Sequence, residues 1–171
     1  MIKPDEKLRK LTAVLDSGKK ESIIDVVRSL KKEEPPIGAI ALLVAFYDAT
    51  YDKVLQKTIE SFFNDIKHKT VRKEIIAEIK KPWKSNTISM LISSCWQSGL
   101  DYSEYLADIA TIYLKADYVT AIECMTVIEE SAGRSDRKTK DDIIKLIMES
   151  SSAHTHEKSP LTSELIGILQ R

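Results

Sequence analysis

The sequence predicts an all-α chain in which about nine short amphipathic helices stack into a helical-repeat solenoid. Apolar side chains recur every three or four positions through most of the 171 residues, which is the period of a helix with one buried face. Glycine and proline occur only five times each, whereas an all-β chain needs a turn about every 8–12 residues. Short predicted connections place successive helices side by side. A compact helical bundle would satisfy the same observations and stays open as the alternative.

Proline and glycine mark the helix boundaries in the first half of the chain. Pro4 opens the first helix, and Gly18 closes it as a left-handed cap, because glycine adopts positive φ at little cost. The pair Pro35-Pro36 separates the second helix from the third, which is apolar on nearly all sides and should lie between other helices. The later helices predicted in this half cover residues 20–32, 37–49, 52–67 and 70–80.

The second half of the chain continues the helical pattern, with one ambiguous segment. Residues 87–90 alternate between polar and apolar side chains as a strand does. Leu91, Ile92 and Cys95 continue the segment with helical spacing, so a helix is the preferred interpretation. The segments predicted in this half cover residues 87–98, 102–115, 118–131, 136–148 and 161–169.

The number and distribution of charged residues limit the class of protein. The formal net charge is zero, which argues against a dedicated nucleic-acid binder with its usual basic excess. Residues 1–85 hold 18 basic and 13 acidic side chains, a net of +5, whereas residues 86–171 hold 8 and 13, a net of −5. Ordinary solvated faces would explain this asymmetry, and the functional interpretation is a basic and an acidic end that orient partners.

A length of 171 residues predicts a single domain over residues 1–171, and the cysteine usage and the N-terminus predict that it is cytoplasmic. Cys95 and Cys124 lie in apolar helical patterns and are expected to be buried, reduced thiols. The N-terminal stretch is charged from Lys3 onward and lacks an apolar leader segment. No apolar run approaches the roughly 20 residues that span a bilayer, so no membrane association is expected.

A weak internal repeat appears when the chain is shifted by about 50 residues, within the period of helical-repeat proteins. Leu55 then falls on Leu106, and Phe62 falls on Tyr113. Each block holds three predicted helices, namely 37–49, 52–67 and 70–80 in the first and 87–98, 102–115 and 118–131 in the second.

The last two helices of each block carry a further pattern. In the first block it consists of Asp65, Val71, Arg72, Ala77 and Ile79. In the second block Asp117, Val119, Ala121 and Ile128 stand in similar places, without an arginine. Over about residues 37–131 the pattern resembles HEAT and armadillo-like repeats. The resemblance implies a right-handed stack of helices with a protein-binding groove, in which the Asp caps the second helix and the Arg bonds along the stack.

No convincing catalytic or metal-binding set is found in the sequence, and no cofactor is expected. The three histidines, His68, His154 and His156, do not lie near a cysteine in sequence. His154 and His156 share a polar segment, which favours a solvated linker over a zinc site. Adjacent carboxylates on a helix point about 100° apart and do not converge on one substrate. We therefore expect a protein that is not an enzyme, and an unrecognised hydrolase site is the weakest hypothesis.

The candidate binding site is a basic segment around one tryptophan. It consists of Lys67, Lys69, Arg72, Lys73, Lys80, Lys81, Trp83 and Lys84. A basic face beside an aromatic ring can hold phosphates and stack a nucleic-acid base. The simpler interpretation, which we prefer, is a solvated outer helix with Trp83 packed over a helix junction.

These patterns favour a non-enzymatic scaffold that binds another protein along a helical-repeat surface. Nucleic-acid binding through residues 67–84 is the second hypothesis. Aromatic side chains near helix ends could anchor a partner, although half-buried rings at helix ends are equally ordinary. They are Tyr47, Tyr51, Trp96, Tyr102, Tyr105, Tyr113 and Tyr118.

Overall fold

A computed structural model describes residues 3–171, and Met1 and Ile2 of the predicted leader-free N-terminus lie outside this range. The described chain contains ten α-helices and no strand: α1 Pro4–Ser17, α2 Lys20–Leu30, α3 Ala39–Ala49, α4 Lys53–Asp65, α5 Arg72–Ile79, α6 Ser85–Gln97, α7 Leu106–Lys115, α8 Tyr118–Ala132, α9 Arg137–Glu149 and α10 Ser159–Gln170. Short 3-10 helices cover Lys69–Val71, Ser103–Tyr105 and Ser151–His154. None of the helices from residue 3 onward is long and apolar enough to cross a bilayer.

The predicted all-α class is confirmed for residues 3–171. The overall estimate of about nine helices is one too low, although the ten segments predicted one by one each correspond to a helix of the described chain. The segment that begins with strand-like alternation forms α6. Leu91, Ile92 and Cys95 are all buried there, because positions i, i+1 and i+4 lie on one side of a helix. The helical spacing of the later residues therefore predicts the structure of this segment correctly, and the strand-like alternation of residues 87–90 does not.

Polar side chains and one glycine define several helix ends. The Asp117 side chain accepts a hydrogen bond from the Thr120 amide at 2.8 Å, and Asp136 accepts one from the Thr139 amide at 2.7 Å. Each bond satisfies an amide that the first turn of a helix leaves without a partner. Gly18 ends α1 with a φ of +67°, the left-handed conformation that favours glycine.

The chain divides into two compact units, of which the first ends at Thr87. In the first unit, α1 packs against α2 and α3, α2 packs against α4, and α3 packs against α4 and α5. Its core is built from fully buried aliphatic and aromatic side chains, which include Val27, Ile40, Leu43, Ile59, Phe62 and Phe63. The predicted basic excess falls in this unit, whose net charge is +5.

The second unit, Ile88–Arg171, contains the acidic excess, with a net charge of −5. Within it, α7 packs against α8 and α9, and α10 packs against α8 and α9. A buried polar network accompanies the apolar core: the Tyr113 and Thr162 hydroxyls lie 2.7 Å apart, and the Lys158 ammonium donates to the Tyr113 carbonyl at 2.7 Å. Lys158 thereby satisfies a carbonyl at the C-terminal end of α7.

Both cysteines are buried free thiols, as the sequence predicts. Burial raises the pKa of the Cys95 thiol to about 12 and also raises that of Cys124. Because the thiolate is the reactive form of cysteine, neither side chain is a ready nucleophile near neutral pH.

The predicted repeat corresponds to two successive triplets of helices. The helices α3, α4 and α5 contain 11, 13 and 8 residues, and α6, α7 and α8 contain 13, 10 and 15. Asp65 accepts a hydrogen bond from the Lys31 ammonium at 2.8 Å, which holds the pKa of its carboxyl below the usual range. Arg72 donates from Nε to the Lys69 carbonyl at 3.1 Å. The repeat and the HEAT-like resemblance stay predictions.

Candidate functional site

The basic segment predicted from the sequence lies entirely in the first unit. It begins after α4, includes the 3-10 turn and α5, and ends in the connector before α6. All six lysines of the segment are exposed to solvent, whereas Arg72 and Trp83 are half-buried. The structure therefore presents six cations of this segment on the surface of the first unit.

A buried carboxylate anchors the tryptophan of the basic segment. Glu78 is buried on α5, and its Oε1 accepts a hydrogen bond from the Lys81 ammonium at 2.5 Å. Its Oε2 accepts one from the Trp83 indole Nε1 at 3.2 Å. These two bonds satisfy the buried charge and fold the connector back onto α5.

The end of the basic segment is tied to α3 through Asp48. The Lys84 amide donates to Asp48 Oδ1 at 3.0 Å, and the Thr87 hydroxyl donates to the same oxygen at 2.7 Å. The Lys84 ammonium donates to the Asp48 carbonyl at 2.5 Å and lies 5.1 Å from the centre of the Tyr51 ring. Lys84 is therefore a structural link between α3 and the start of α6.

A groove of about 560 Å³ lies between α1, α2 and the loop that follows α2. Leu11, Val26, Leu30 and Pro36 contribute its apolar lining. Charges of both signs also line it, and Lys7 forms a salt bridge with Glu33 that holds the pKa of this carboxyl below its usual range. The groove has room for apolar side chains, but its mixed charges select no particular charged ligand.

A cluster of outward-facing apolar side chains lies on the second unit. We call it the α8 patch and define it as Trp96, Tyr118, Val119 and Ile122, which are between 38% and 64% exposed. Val119 and Ile122 are neighbours on α8, because residues three apart lie on one helix face. The Trp96 indole Nε1 donates to Glu123 Oε2 at 2.7 Å, which places the ring beside the same face.

The helical spacing of the apolar residues of α8 predicts that Val119 and Ile122 are buried, and this prediction is wrong. Instead, α8 buries the side that carries Ala121, Cys124 and Val127. The helix is apolar on several sides, so its period does not identify the core-facing side. The packing of α8 against α7 and α10 determines which of its sides is buried. The useful signal in the sequence is an apolar surface larger than one buried face requires.

Within residues 3–171, no group of three or more histidine, cysteine, aspartate or glutamate side chains is arranged to hold a metal ion. The imidazole Nε2 of His154 lies 3.1 Å from the Ile147 carbonyl, at the end of α9. This contact ties the predicted polar segment to the helix before it.

Comparison with known proteins does not identify a family for this chain. No protein-family model matches it, and no significant match is found among curated proteins or solved structures. The function must therefore be inferred from the contacts and charges of the chain itself.

Proposed function

We propose that this protein is a non-enzymatic scaffold that binds another protein along its helical surface. The α8 patch is the observation that supports this most. Apolar side chains on a solvated helix face are stabilised when a partner removes them from water. Tryptophan and tyrosine, which supply half of the patch, are enriched among the residues that dominate binding energy.

The packing order of the helices supports a helical-repeat solenoid as the architecture of this scaffold. Within each unit, the main helix contacts join helices one or two places apart along the chain. Such contacts are typical of repeat proteins, in which each element packs only on its near neighbours. A right-handed HEAT-like stack is the form of this arrangement that the sequence resemblance favours.

A cytoplasmic location is part of the same proposal. The two cysteines are free and buried, which suits a reducing compartment.

Replacing both aliphatic residues of the α8 patch by serine is expected to abolish capture of the partner. The double variant Val119→Ser/Ile122→Ser removes apolar contact area from the centre of the patch, and a loss of about 1–2 kcal/mol at each residue lowers affinity at least about tenfold. The measurement is quantitative mass spectrometry of proteins that co-purify with the full chain from a cell extract.

The matched control is Met148→Ser, which removes an exposed apolar side chain from α9. Circular dichroism should show nearly the same helix content for the wild type, the double variant and the control, because each substitution by serine changes helix propensity by less than about 0.7 kcal/mol. Equal capture by the wild type and the double variant would contradict the proposed role of the patch. Failure of the wild type to retain any protein would contradict the scaffold itself.

Nucleic-acid binding is the second candidate, favoured by the six exposed lysines of the basic segment. The triple variant Lys69→Gln/Lys73→Gln/Lys80→Gln should weaken binding of a duplex oligonucleotide. It should also reduce the slope of log affinity against log salt by about 2–3, because each phosphate contact contributes about 0.9. The measurement is an electrophoretic shift assay over a range of salt concentrations.

A triple variant on α9, Lys138→Gln/Lys140→Gln/Lys145→Gln, serves as the control with the same change in net charge. Equal weakening by both triple variants would indicate non-specific attraction to positive charge. Absence of any retardation of the wild type at low salt removes this candidate.

A further inference from the structure

We infer that the partner of the α8 patch is an amphipathic helix whose apolar face is flanked by lysine or arginine. The inference rests on the proposed function and goes beyond it by naming the chemistry of the partner. Its basis is the charge around the patch: α6 and α8 together contain three glutamates and neither lysine nor arginine. Asp117, directly before α8, adds a fourth carboxylate.

The outward face of α8 changes from apolar to acidic along its length. Val119 and Ile122 lead at helical steps to Thr126 and then to Glu129 and Glu130, both of which are exposed. A helix that packs lengthwise on this face would place aliphatic side chains against the first part. Its cations would then meet the two glutamates of the second part.

The patch also offers a cation two kinds of contact at its edge. Glu123 is fixed there by the hydrogen bond from Trp96, and a carboxylate accepts more than one donor, so it can bind a lysine or an arginine as well. The exposed part of the Trp96 ring can lie against the same cation, since indole attracts cations most strongly among the aromatic side chains. A neutral partner would leave both contacts unused.

The net charge of the second unit favours the same partner at a distance. With a net charge of −5, the second unit attracts a basic segment of a partner and repels an acidic one before contact is made. Because salt screens such attraction over about 10 Å at 0.1 M, association should slow as salt is added.

The test uses two fluorescently labelled synthetic helices of about 15 residues, a length at which isolated helices begin to be stable. Both have the same leucine face, and their polar positions are lysine in one and glutamate in the other. Fluorescence anisotropy with the full chain should show at least tenfold tighter binding of the lysine peptide. Val119→Ser/Ile122→Ser and Glu123→Gln should each weaken that binding, whereas Met148→Ser should leave it unchanged.

Equal affinity for the two peptides would overturn the inference, as would lysine-peptide binding that the patch variants leave unchanged. Self-association of the wild type that disappears in Val119→Ser/Ile122→Ser would identify a second copy as the occupant and also overturn it. If a cellular protein is captured through the patch while neither peptide binds, the proposed function stands and only the inferred chemistry of the partner fails.

Discussion

Replacing Phe62 by alanine is expected to lower the free energy of unfolding of the first unit by about 3–5 kcal/mol. Phe62 is fully buried on α4, and its ring meets that of Phe63 edge-on, with centroids 5.3 Å apart. The truncated side chain leaves a cavity where α4 packs against α2 and α3, and it loses the aromatic contact as well. Hydrogen exchange measured by mass spectrometry should show faster exchange in residues 20–65.

The control for this prediction is Val54→Ala on the same helix. Val54 is 49% exposed, so the substitution removes little buried surface and should change stability by no more than about 0.5 kcal/mol. Similar losses in the two variants would contradict the burial that the structure gives α4.

Val54 and Phe62 also show that helical periodicity predicts a helix but does not predict which of its apolar residues are buried. Val54 and Phe62 both belong to the apolar residues at three- and four-residue spacing that predict a helix over residues 52–67, and this helix is α4. They lie eight positions apart, however, which at about 100° per residue rotates one from the other by about 80°. An apolar helix face of this width contains both buried positions and positions at its solvent-exposed edge. Only the packing of α2 and α3 against α4 determines which apolar residues of α4 are buried.

Some helix ends depend on local signals, because the capping side chain and its target amide are close in sequence. Asp117 and Asp136 are examples, since each bonds an amide three residues later. The start of α6 involves a long-range contact, and the predicted start at residue 87 is two residues late. Asp48, which accepts from the Lys84 amide there, lies 36 residues earlier.

The candidate sites depend even more on long-range packing. Glu78 has the sequence context of a solvated charge, yet it is buried because the connector folds back and places Trp83 on it. The α8 patch is the converse case. Val119 and Ile122 have the sequence context of core residues, and they are exposed because the other side of α8 faces α7 and α10.

Replacing Lys158 by alanine is expected to lower the free energy of unfolding of the second unit by about 2–3 kcal/mol. Lys158 is only 6% exposed, and its ammonium donates to the Tyr113 carbonyl and lies 5.1 Å from the centre of the Tyr113 ring. Alanine would leave a buried carbonyl without this donor and would remove the aliphatic stem that packs beside it. Urea denaturation followed by circular dichroism measures the loss.

Lys158→Met separates the stem from the ammonium, because methionine has a similar length but cannot donate a hydrogen bond. Its loss should be smaller than that of the alanine variant, since the apolar packing is retained. Equal losses in both variants would place the whole effect in the hydrogen bond to Tyr113.

The pH dependence of this difference tests the environment of the ammonium directly. Burial lowers the pKa of Lys158, although Cys124, Asp117 and Glu157 partly oppose the shift. Between that lowered pKa and the value of about 10.4 in the unfolded chain, the unfolded state binds more protons, so Lys158 makes stability rise with pH. Tyr113 acts in the opposite direction, because burial raises its pKa and stability is lost as pH rises past about 10.

Comparison with Lys158→Met cancels the contribution of Tyr113, which both chains share. The stability of the wild type relative to the methionine variant should therefore grow as pH rises toward about 10.4. A relative stability that stays constant over this range would mean that Lys158 titrates as it does in the unfolded chain. In that case burial would not disfavour the charged form of Lys158, which would contradict the lowered pKa expected for its environment at the end of α7.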